Sequence, residues 1–112
     1  MRYVLIMCDD EAVLTGPAEL REDPVHERWI ADVQRRGVLV AGEQLRPVVD
    51  ATTVSVRNGQ TLVTDGPFAE TKHVVGGFAV VECADLDEAV EVAAGHPYAA
   101  RGCVEIRPVW LS

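Results

Sequence analysis

His26 is the residue of this sequence whose chemistry is most informative. An imidazole changes charge near neutral pH and can therefore donate or accept a proton in a reaction. His26 follows Val25 directly and precedes Trp29 on the same predicted helix, near the edge of its apolar stripe. This position fits a half-buried surface or interface histidine, and it also fits a base that faces a cleft. The pattern leaves both alternatives open.

Asp65 is the second candidate for a catalytic role, and it precedes Gly66-Pro67 in a turn-forming stretch. An aspartate at the first position of a turn commonly accepts hydrogen bonds from nearby backbone N–H groups. As a functional residue, Asp65 would instead orient His26 or stabilise its imidazolium form, like the third member of a catalytic triad. Both roles are compatible with the sequence.

Four other charged residues are candidates for binding a polar ligand: Glu43, Arg46, Glu105 and Arg107. Carboxylates beside an arginine usually form an ordinary ion pair. In a dry cleft, the same groups have shifted pKa values and bind polar ligands. Arg46 is the candidate for an anionic ligand, and the other three follow the alternation of predicted strands.

Metal and cofactor sites are not expected. The three histidines include no i, i+4 pair, and the three cysteines match no zinc-binding spacing. Cys8, Cys83 and Cys103 all lie in apolar, strand-like segments, where we expect buried thiols that behave as small hydrophobic side chains. No glycine-rich phosphate loop, serine nucleophile elbow or dinucleotide fingerprint is present.

The composition predicts one small globular domain that spans residues 1–112. Apolar residues make up 48% of the chain and charged residues 25%, and the net charge is −8. An acidic chain gains no counterion-release energy from nucleic acid or from anionic membranes, so neither is expected as a partner. The apolar runs are strand-sized, and the N-terminus has no signal-peptide pattern. We therefore expect a cytoplasmic protein.

Caps and turns predict the boundaries of the elements. Asp23 and Pro24 start one helix, because aspartate caps free N–H groups and proline has none to satisfy. Asp85 and Glu88 start another with an acidic capping box. Asn58-Gly59 between two strand-like runs predicts a hairpin. The predicted strands are 2–8, 38–45, 52–57, 60–64, 74–83 and 104–111; the predicted helices are 18–22, 24–36 and one that ends at 95–97; residues 9–11 are predicted to form a solvated loop.

This order predicts an α+β fold, namely a ferredoxin-like βαββαβ arrangement with an inserted hairpin. Two helices cover only one face of a four-stranded sheet, so the other face must be buried by something else. Alternation predicts that this face is mixed in polarity and suits a dimer seam or a ligand cleft. In the last strand, Val104 and Ile106 oppose Cys103, Glu105 and Arg107; in strand two, Val38 and Val40 oppose Leu39, Ala41 and Glu43.

The stretch Leu62-Val63-Thr64-Asp65-Gly66-Pro67-Phe68-Ala69-Glu70-Thr71-Lys72 resembles the signature of the DGPF branch of the YCII-related family. The resemblance covers nearly the whole chain. It extends to Ala41-Gly42-Glu43-Gln44-Leu45-Arg46-Pro47, Gly76-Gly77-Phe78, Asp85-Leu86-Asp87-Glu88-Ala89 and Val104-Glu105-Ile106-Arg107-Pro108.

The resemblance implies a dimeric α+β barrel in which two ferredoxin-like subunits pack sheet to sheet around a cleft. It implies an active site built on a helix-one histidine, which matches His26, and on an acid, for which Asp65 is the candidate. The wider family has Asp-Pro-Tyr after the second long helix, whereas this chain has His96-Pro97-Tyr98. His73 stands where DGPF proteins often carry a glutamate, so the resemblance implies no role for it.

Two functional hypotheses follow from the resemblance. In the first, the protein is a small cleft enzyme in which His26 and Asp65 perform acid–base chemistry on a small aromatic or carbonyl-bearing molecule, as a few relatives do on chlorinated aromatic diols. In the second, it is a non-catalytic binding or regulatory module that partners an extracytoplasmic-function sigma factor, because many DGPF proteins are encoded beside such factors. A homodimer is expected in both.

Overall fold

The computed structural model describes residues 1–13 and 16–111, without the side chains of residues 13 and 17. The strands are β1 (Arg2–Asp10), β2 (Leu39–Gln44), β3 (Thr52–Arg57), β4 (Gln60–Asp65), β5 (His73–Glu82) and β6 (Cys103–Pro108). The α-helices are α1 (Pro17–Glu22), α2 (Pro24–Arg35), α3 (Leu86–Ala94) and α4 (Pro97–Arg101). No helix among the described residues is long and apolar enough to span a membrane.

Four strands form one antiparallel sheet in the order β2-β5-β1-β6, and β3 and β4 form a separate hairpin. This arrangement is the ferredoxin-like fold that the element order predicted, with the hairpin inserted between its halves. The predicted hairpin turn is confirmed, because Asn58 and Gly59 both have positive φ angles, of 52° and 73°.

Both long helices begin at the predicted aspartate caps. The Asp23 carboxylate accepts the N–H of Val25 at 2.9 Å, and the Asp85 carboxylate accepts the N–H of Glu88 at 2.9 Å. Each bond satisfies a backbone donor that has no partner inside the helix. The positions of the helix starts are therefore set by the local sequence.

The core lies between the helices and one face of the sheet. Alternate residues of β1 face the helices, and α2 and α3 supply apolar side chains against them. Trp29 of α2 donates its indole N–H to the carbonyl of Val92 of α3 at 2.8 Å, which joins the two helices. The main buried contacts are made by Tyr3, Leu5, Met7, Trp29, Val33, Ala79, Val81, Ala89, Val92 and Ala93.

The other side of the sheet, here called the open face, is not covered by any helix of the described residues. Neighbouring side chains of β1 and β5 on this face are paired as Val4 with Val80 and Ile6 with Phe78, and all four are half-buried. The predicted alternation of β6 is confirmed: Val104 and Ile106 pack on the core, whereas Cys103, Glu105 and Arg107 are exposed. The open face is therefore apolar at its centre and charged at its margin.

In β2, the predicted alternation was wrong for Leu39. Leu39 packs against the core, whereas Ala41 and Glu43 pair with Val80 and Phe78 on the open face. A bulge between Leu39 and Ala41 inserts one residue and resets the alternation. A second register shift occurs between Met7 and Cys8 of β1, where Gly76 of β5 is the extra residue.

Three other predictions were wrong. Asp9 does not lie in a solvated loop, because β1 continues to Asp10 and buries Asp9, which is 2% exposed. Cys103 is not a buried thiol, since it lies on the outward side of an edge strand, and Cys8 is only half-buried. The last strand ends at Pro108 rather than at Leu111, and Trp110 beyond it is 96% exposed.

Candidate functional site

One cavity, of about 260 Å³, opens between α2, α4 and the β2–β5 edge of the sheet. Most of its wall is apolar, and the polar residues of the wall come from different elements. The residues used below are His26 and Trp29 from α2, Glu43 and Gln44 from β2, and His96 and Tyr98 at the start of α4. A small apolar cavity with a few convergent polar groups is typical of a small-molecule site.

His26 lies in the first turn of α2 because Asp23 and Pro24 start the helix just before it. The ring is half-buried, and its centroid lies 6.4 Å from that of Trp29. Burial lowers the pKa of His26 below its ordinary value, while the charge of Asp23 and a hydrogen bond to the backbone of Leu20 oppose that shift. His26 is therefore mostly uncharged at neutral pH and able to accept a proton.

His96 is the buried polar residue of the cavity wall, at 5% exposure. It caps α4, because its Nδ1 accepts the backbone N–H of Tyr98 at 3.1 Å. Burial lowers the pKa of His96 to about 4, and the nearby charges of His26 and Arg101 add to that shift. Since Nδ1 is an acceptor and the ring is neutral, Nε2 carries the proton and is a hydrogen-bond donor.

Aromatic contacts bring the two histidines together. The His96 ring meets the ring of Trp29 edge-on at 4.9 Å between centroids and that of Tyr98 at 5.3 Å. The His26 and His96 centroids are 5.7 Å apart, with the rings nearly perpendicular. The cavity therefore holds one histidine able to accept a proton beside another that stays neutral and donates a hydrogen bond.

An ion pair between the partly exposed Arg101 and the buried Asp9 supports the α4 side of the cavity. The Arg101 guanidinium lies 4.8 Å above the centre of the Tyr98 ring, and its Nε is 3.4 Å from the buried Asp9 carboxylate. The Tyr98 hydroxyl is buried and makes no hydrogen bond within the described chain. This pair fixes the short helix that presents His96 and Tyr98 to the cavity.

Asp65, the acid predicted to partner His26, lines a different cavity. That cavity, of about 530 Å³, is bordered also by Glu11, Gly66 and Glu70. Asp65 ends β4, and the hairpin is not part of the four-stranded sheet that carries the His26 cavity. Within one chain, the structure therefore places His26 beside His96 and not in the same cavity as Asp65.

The four predicted ligand-binding residues are similarly divided. Glu43 lines the His26 cavity. Arg46 pairs with Asp50 at 3.0 Å, and Arg107 lies 4.0 Å from Glu105 on the exposed side of β6. These three side chains are exposed and lie outside the residues that line either cavity, as is usual for surface ion pairs, and their binding of a ligand stays a prediction.

His96 and Tyr98 were not among the residues predicted for the site. His96-Pro97 was interpreted only as the end of the preceding helix and as a departure from the family pattern. Proline at the first position of a helix is the local signal that a new helix begins there. Histidine is not among the common capping residues, which obscured that signal.

Comparison with known proteins yields three likenesses. Residues 1–111 match the YCII-related domain. An uncharacterised protein of Rhizobium meliloti is 38% identical over 117 residues, which cover 99% of this chain and 94% of the relative. The solved structure of 5-chloro-2-hydroxyhydroquinone dehydrochlorinase from Burkholderia phenoliruptrix, in complex with 2,5-dihydroxybenzoquinone, superposes with a TM-score of 0.51 at 15% identity, over 100% of this chain and 96% of that one. At this identity, the last likeness shows the fold alone.

The lowered pKa of His96 predicts acid-sensitive stability. The pKa of His96 is about 4 in the folded chain and near 6.5 in the unfolded chain. At any pH between these two values, the unfolded chain therefore binds more protons than the folded chain does. The free energy of unfolding should therefore fall by roughly 3 kcal/mol as the pH drops from about 6.5 to about 4. Denaturant unfolding at several pH values measures this loss.

His96→Asn is the matched variant, because asparagine retains a capping oxygen but does not titrate. Carboxylates titrate alike in both proteins, so the difference between the two pH profiles isolates His96. Parallel profiles for the wild type and His96→Asn over this range would contradict a buried neutral imidazole.

Proposed function

We propose that this chain, which belongs to the YCII-related family, is an enzyme. In this proposal, His26 accepts a proton from, or donates one to, a small aromatic or carbonyl-bearing molecule. The observation that carries this proposal is the convergence of His26 and His96, 5.7 Å apart, in one mostly apolar cavity. The narrower assignment to the DGPF branch stays a prediction, as does the cytoplasmic location.

The two histidines have complementary roles in this proposal. His26, whose pKa is lowered by burial, accepts a proton from the substrate at neutral pH. His96 stays neutral and offers its Nε2–H to the substrate oxygen on which negative charge develops. A neutral imidazole suits this task because its donor is already in place when the charge appears.

The cavity supports a compact, planar substrate. Its volume of about 260 Å³ suits a molecule of a single ring. Trp29 supplies an aromatic surface next to both histidines. The dehydrochlorinase of similar fold is named for a chlorinated hydroxyhydroquinone and is bound to a dihydroxybenzoquinone. We therefore propose hydroxylated hydroquinones and quinones as the first substrate class to test.

The proposal pairs His26 with His96 rather than with Asp65. Asp65 is exposed and lines the second cavity, so we infer that its role in the chain is that of a turn residue. Among the predicted ligand-binding residues, Glu43 borders the first cavity at the β2–β5 edge, where it pairs with Phe78, and its binding of a ligand stays a prediction. No step requires a metal ion or an organic cofactor.

We propose that the protein forms a homodimer through the open face, as a dimeric α+β barrel. The centre of this face carries Val4, Ile6, Phe78 and Val80, all half-buried side chains that lie outside the core. An apolar sheet surface of this kind is stabilised by burial against a second copy. The apolar centre of the open face therefore supports the proposed dimer.

A second candidate function, that of a module binding an extracytoplasmic-function sigma factor, is favoured by the hairpin. Its strands expose the aliphatic side chains of Val54, Val56, Leu62 and Val63. The chain as a whole is acidic, with a net charge of −8, which complements a basic, nucleic-acid-binding partner. In this alternative, the hairpin carries the function and the cavity does not.

Replacing His26 should abolish turnover while leaving the fold intact. We expect His26→Gln to lower kcat/KM by about 100-fold or more on a chlorinated hydroxyhydroquinone, since general acid–base catalysis contributes about that much. Such a substrate gives a hydroxyquinone by loss of HCl, without an oxidant, and the assay follows the absorbance of that product. Quenching of Trp29 fluorescence by 2,5-dihydroxybenzoquinone, in a Trp110→Phe background, measures binding separately.

His73→Gln is the matched control, because His73 is exposed at the start of β5 and lies outside the residues that line the His26 cavity. It should retain full activity and binding. The proposed enzyme would be excluded if His26→Gln and the wild type had equal activity. It would also be excluded if the wild type showed neither turnover of the hydroquinone substrate nor quenching by 2,5-dihydroxybenzoquinone.

The homodimer predicts a mass of about twice 12.2 kDa in light scattering at micromolar concentration. Ile6→Lys introduces a charge at the centre of the open face and should yield a monomer. Val56→Lys on the hairpin should stay dimeric. A monomeric wild type, or an Ile6→Lys variant that remains a dimer, would contradict an interface on this face.

The sigma-factor alternative is tested by affinity co-purification with a sigma factor encoded beside the protein. Val56→Lys and Leu62→Lys should each reduce capture about tenfold, whereas His26→Gln should capture normally. If capture is absent in the wild type, or unchanged in both hairpin variants, the hairpin does not serve as this binding surface.

A further inference from the structure

We propose that Cys8 and Cys103 are a thiol–disulfide modification site: they form a reversible disulfide within one chain when the protein meets a disulfide oxidant. The sheet register pairs Cys8 of β1 directly with Cys103 of β6. All three cysteines are free thiols in the structure. This site is separate from the cavity and does not depend on the proposed function.

The register of the two strands places the cysteines so close that a small backbone movement would let their sulfurs bond. Residues directly opposite in an antiparallel pair have Cβ atoms roughly 4.5–5.5 Å apart, and a disulfide needs roughly 3.5–4.5 Å. A small movement of the two strands therefore closes the bond. The register between β1 and β6 is continuous from Tyr3 to Cys8, so the pairing of the two cysteines is well defined.

Contacts on both sides hold this junction together. A side chain at Gly102 would overlap the backbone carbonyl of Cys8, so the chain enters β6 in tight contact with the end of β1. The ion pair between Asp9 and Arg101, the residues next to Cys8 and Gly102 in the sequence, joins the end of β1 to the start of β6. Only glycine allows this approach, which brings Cys103 close to Cys8.

Exposure decides which thiol reacts first. Cys103 is exposed on an edge strand, Cys8 is half-buried, and Cys83 is buried. Burial raises the pKa of Cys8. A hydrogen bond with Cys103 and the charges of Cys103 and Glu105 raise this pKa further. Cys103 is therefore the thiol that a soluble oxidant reaches first, and Cys8 is the resolving thiol.

With oxidised glutathione as the oxidant, the reaction balances in two exchanges. The Cys103 thiolate attacks one sulfur of glutathione disulfide, forms a mixed disulfide and releases one glutathione thiolate. The Cys8 thiolate then attacks the Cys103 sulfur and releases the second glutathione. The protein loses two protons and two electrons, which the two glutathione molecules carry, and a dithiol reductant reverses the change.

The disulfide would join the edge strand β6 to the central strand β1 and close a loop that includes most of the chain. A cross-link of such a long loop restricts the unfolded chain more than the folded one. We therefore expect the oxidised protein to melt at a Tm higher by roughly 10 °C.

The test treats the native full-length protein with oxidised glutathione and maps the products by mass spectrometry. The expected product is a chain that is lighter by two hydrogen atoms and not cross-linked to another chain, with peptides containing Cys8 and Cys103 linked. Phenylarsine oxide, which binds two adjacent thiols with loss of one water, should bind the reduced protein one to one.

Cys8→Ser and Cys103→Ser should each abolish the arsenical binding and the linked product, while Cys83→Ala should retain both. Circular dichroism confirms that each variant is folded. Linkage through Cys83, cross-links only between chains, or oxidation that occurs in denaturant but not in the native protein would overturn the proposal.

Discussion

The cavity depends on one hydrogen bond, from the indole of Trp29 to the carbonyl of Val92. This bond, 2.8 Å long, joins α2 to α3 and fixes the position of a large ring at the boundary between the core and the cavity. The Trp29 ring lies nearly parallel to the His26 ring and makes an edge-on contact with the His96 ring. The two histidines lie at the starts of different helices, and this contact helps to hold them 5.7 Å apart.

Different degrees of burial give two identical side chains different chemistry. His26 is half-buried, and the negative charge of Asp23 partly offsets the cost of protonating it. His96 is almost fully buried, and the charges of Arg101 and of His26 in its protonated form oppose its protonation further, so protonating His96 is far more costly. The site therefore contains a proton acceptor and a neutral donor without a carboxylate between them.

Local sequence patterns predicted the elements, because caps and turns act over a few residues. Asp23, Asp85 and Asn58-Gly59 are at the predicted positions for that reason. The errors came from long-range contacts: Asp9 is buried because Arg101, distant in sequence, pairs with it. His26 was predicted as a site residue from its type and family, but its neighbour His96 depends on how α4 packs, which periodicity does not encode.

The segment from His96 to Cys103 connects features that otherwise seem independent. Its first residue caps α4 and lines the cavity, and Arg101 at the end of the helix pairs with Asp9 of β1. The next two residues bring β6 against the end of β1, at Cys8. Because α4 has only five residues, the end of β1 at Cys8 and the cavity wall at His96 are separated by one short helix. Arg101 contacts both Asp9 of β1 and Tyr98 of the cavity wall, so a single side chain packs between the two regions.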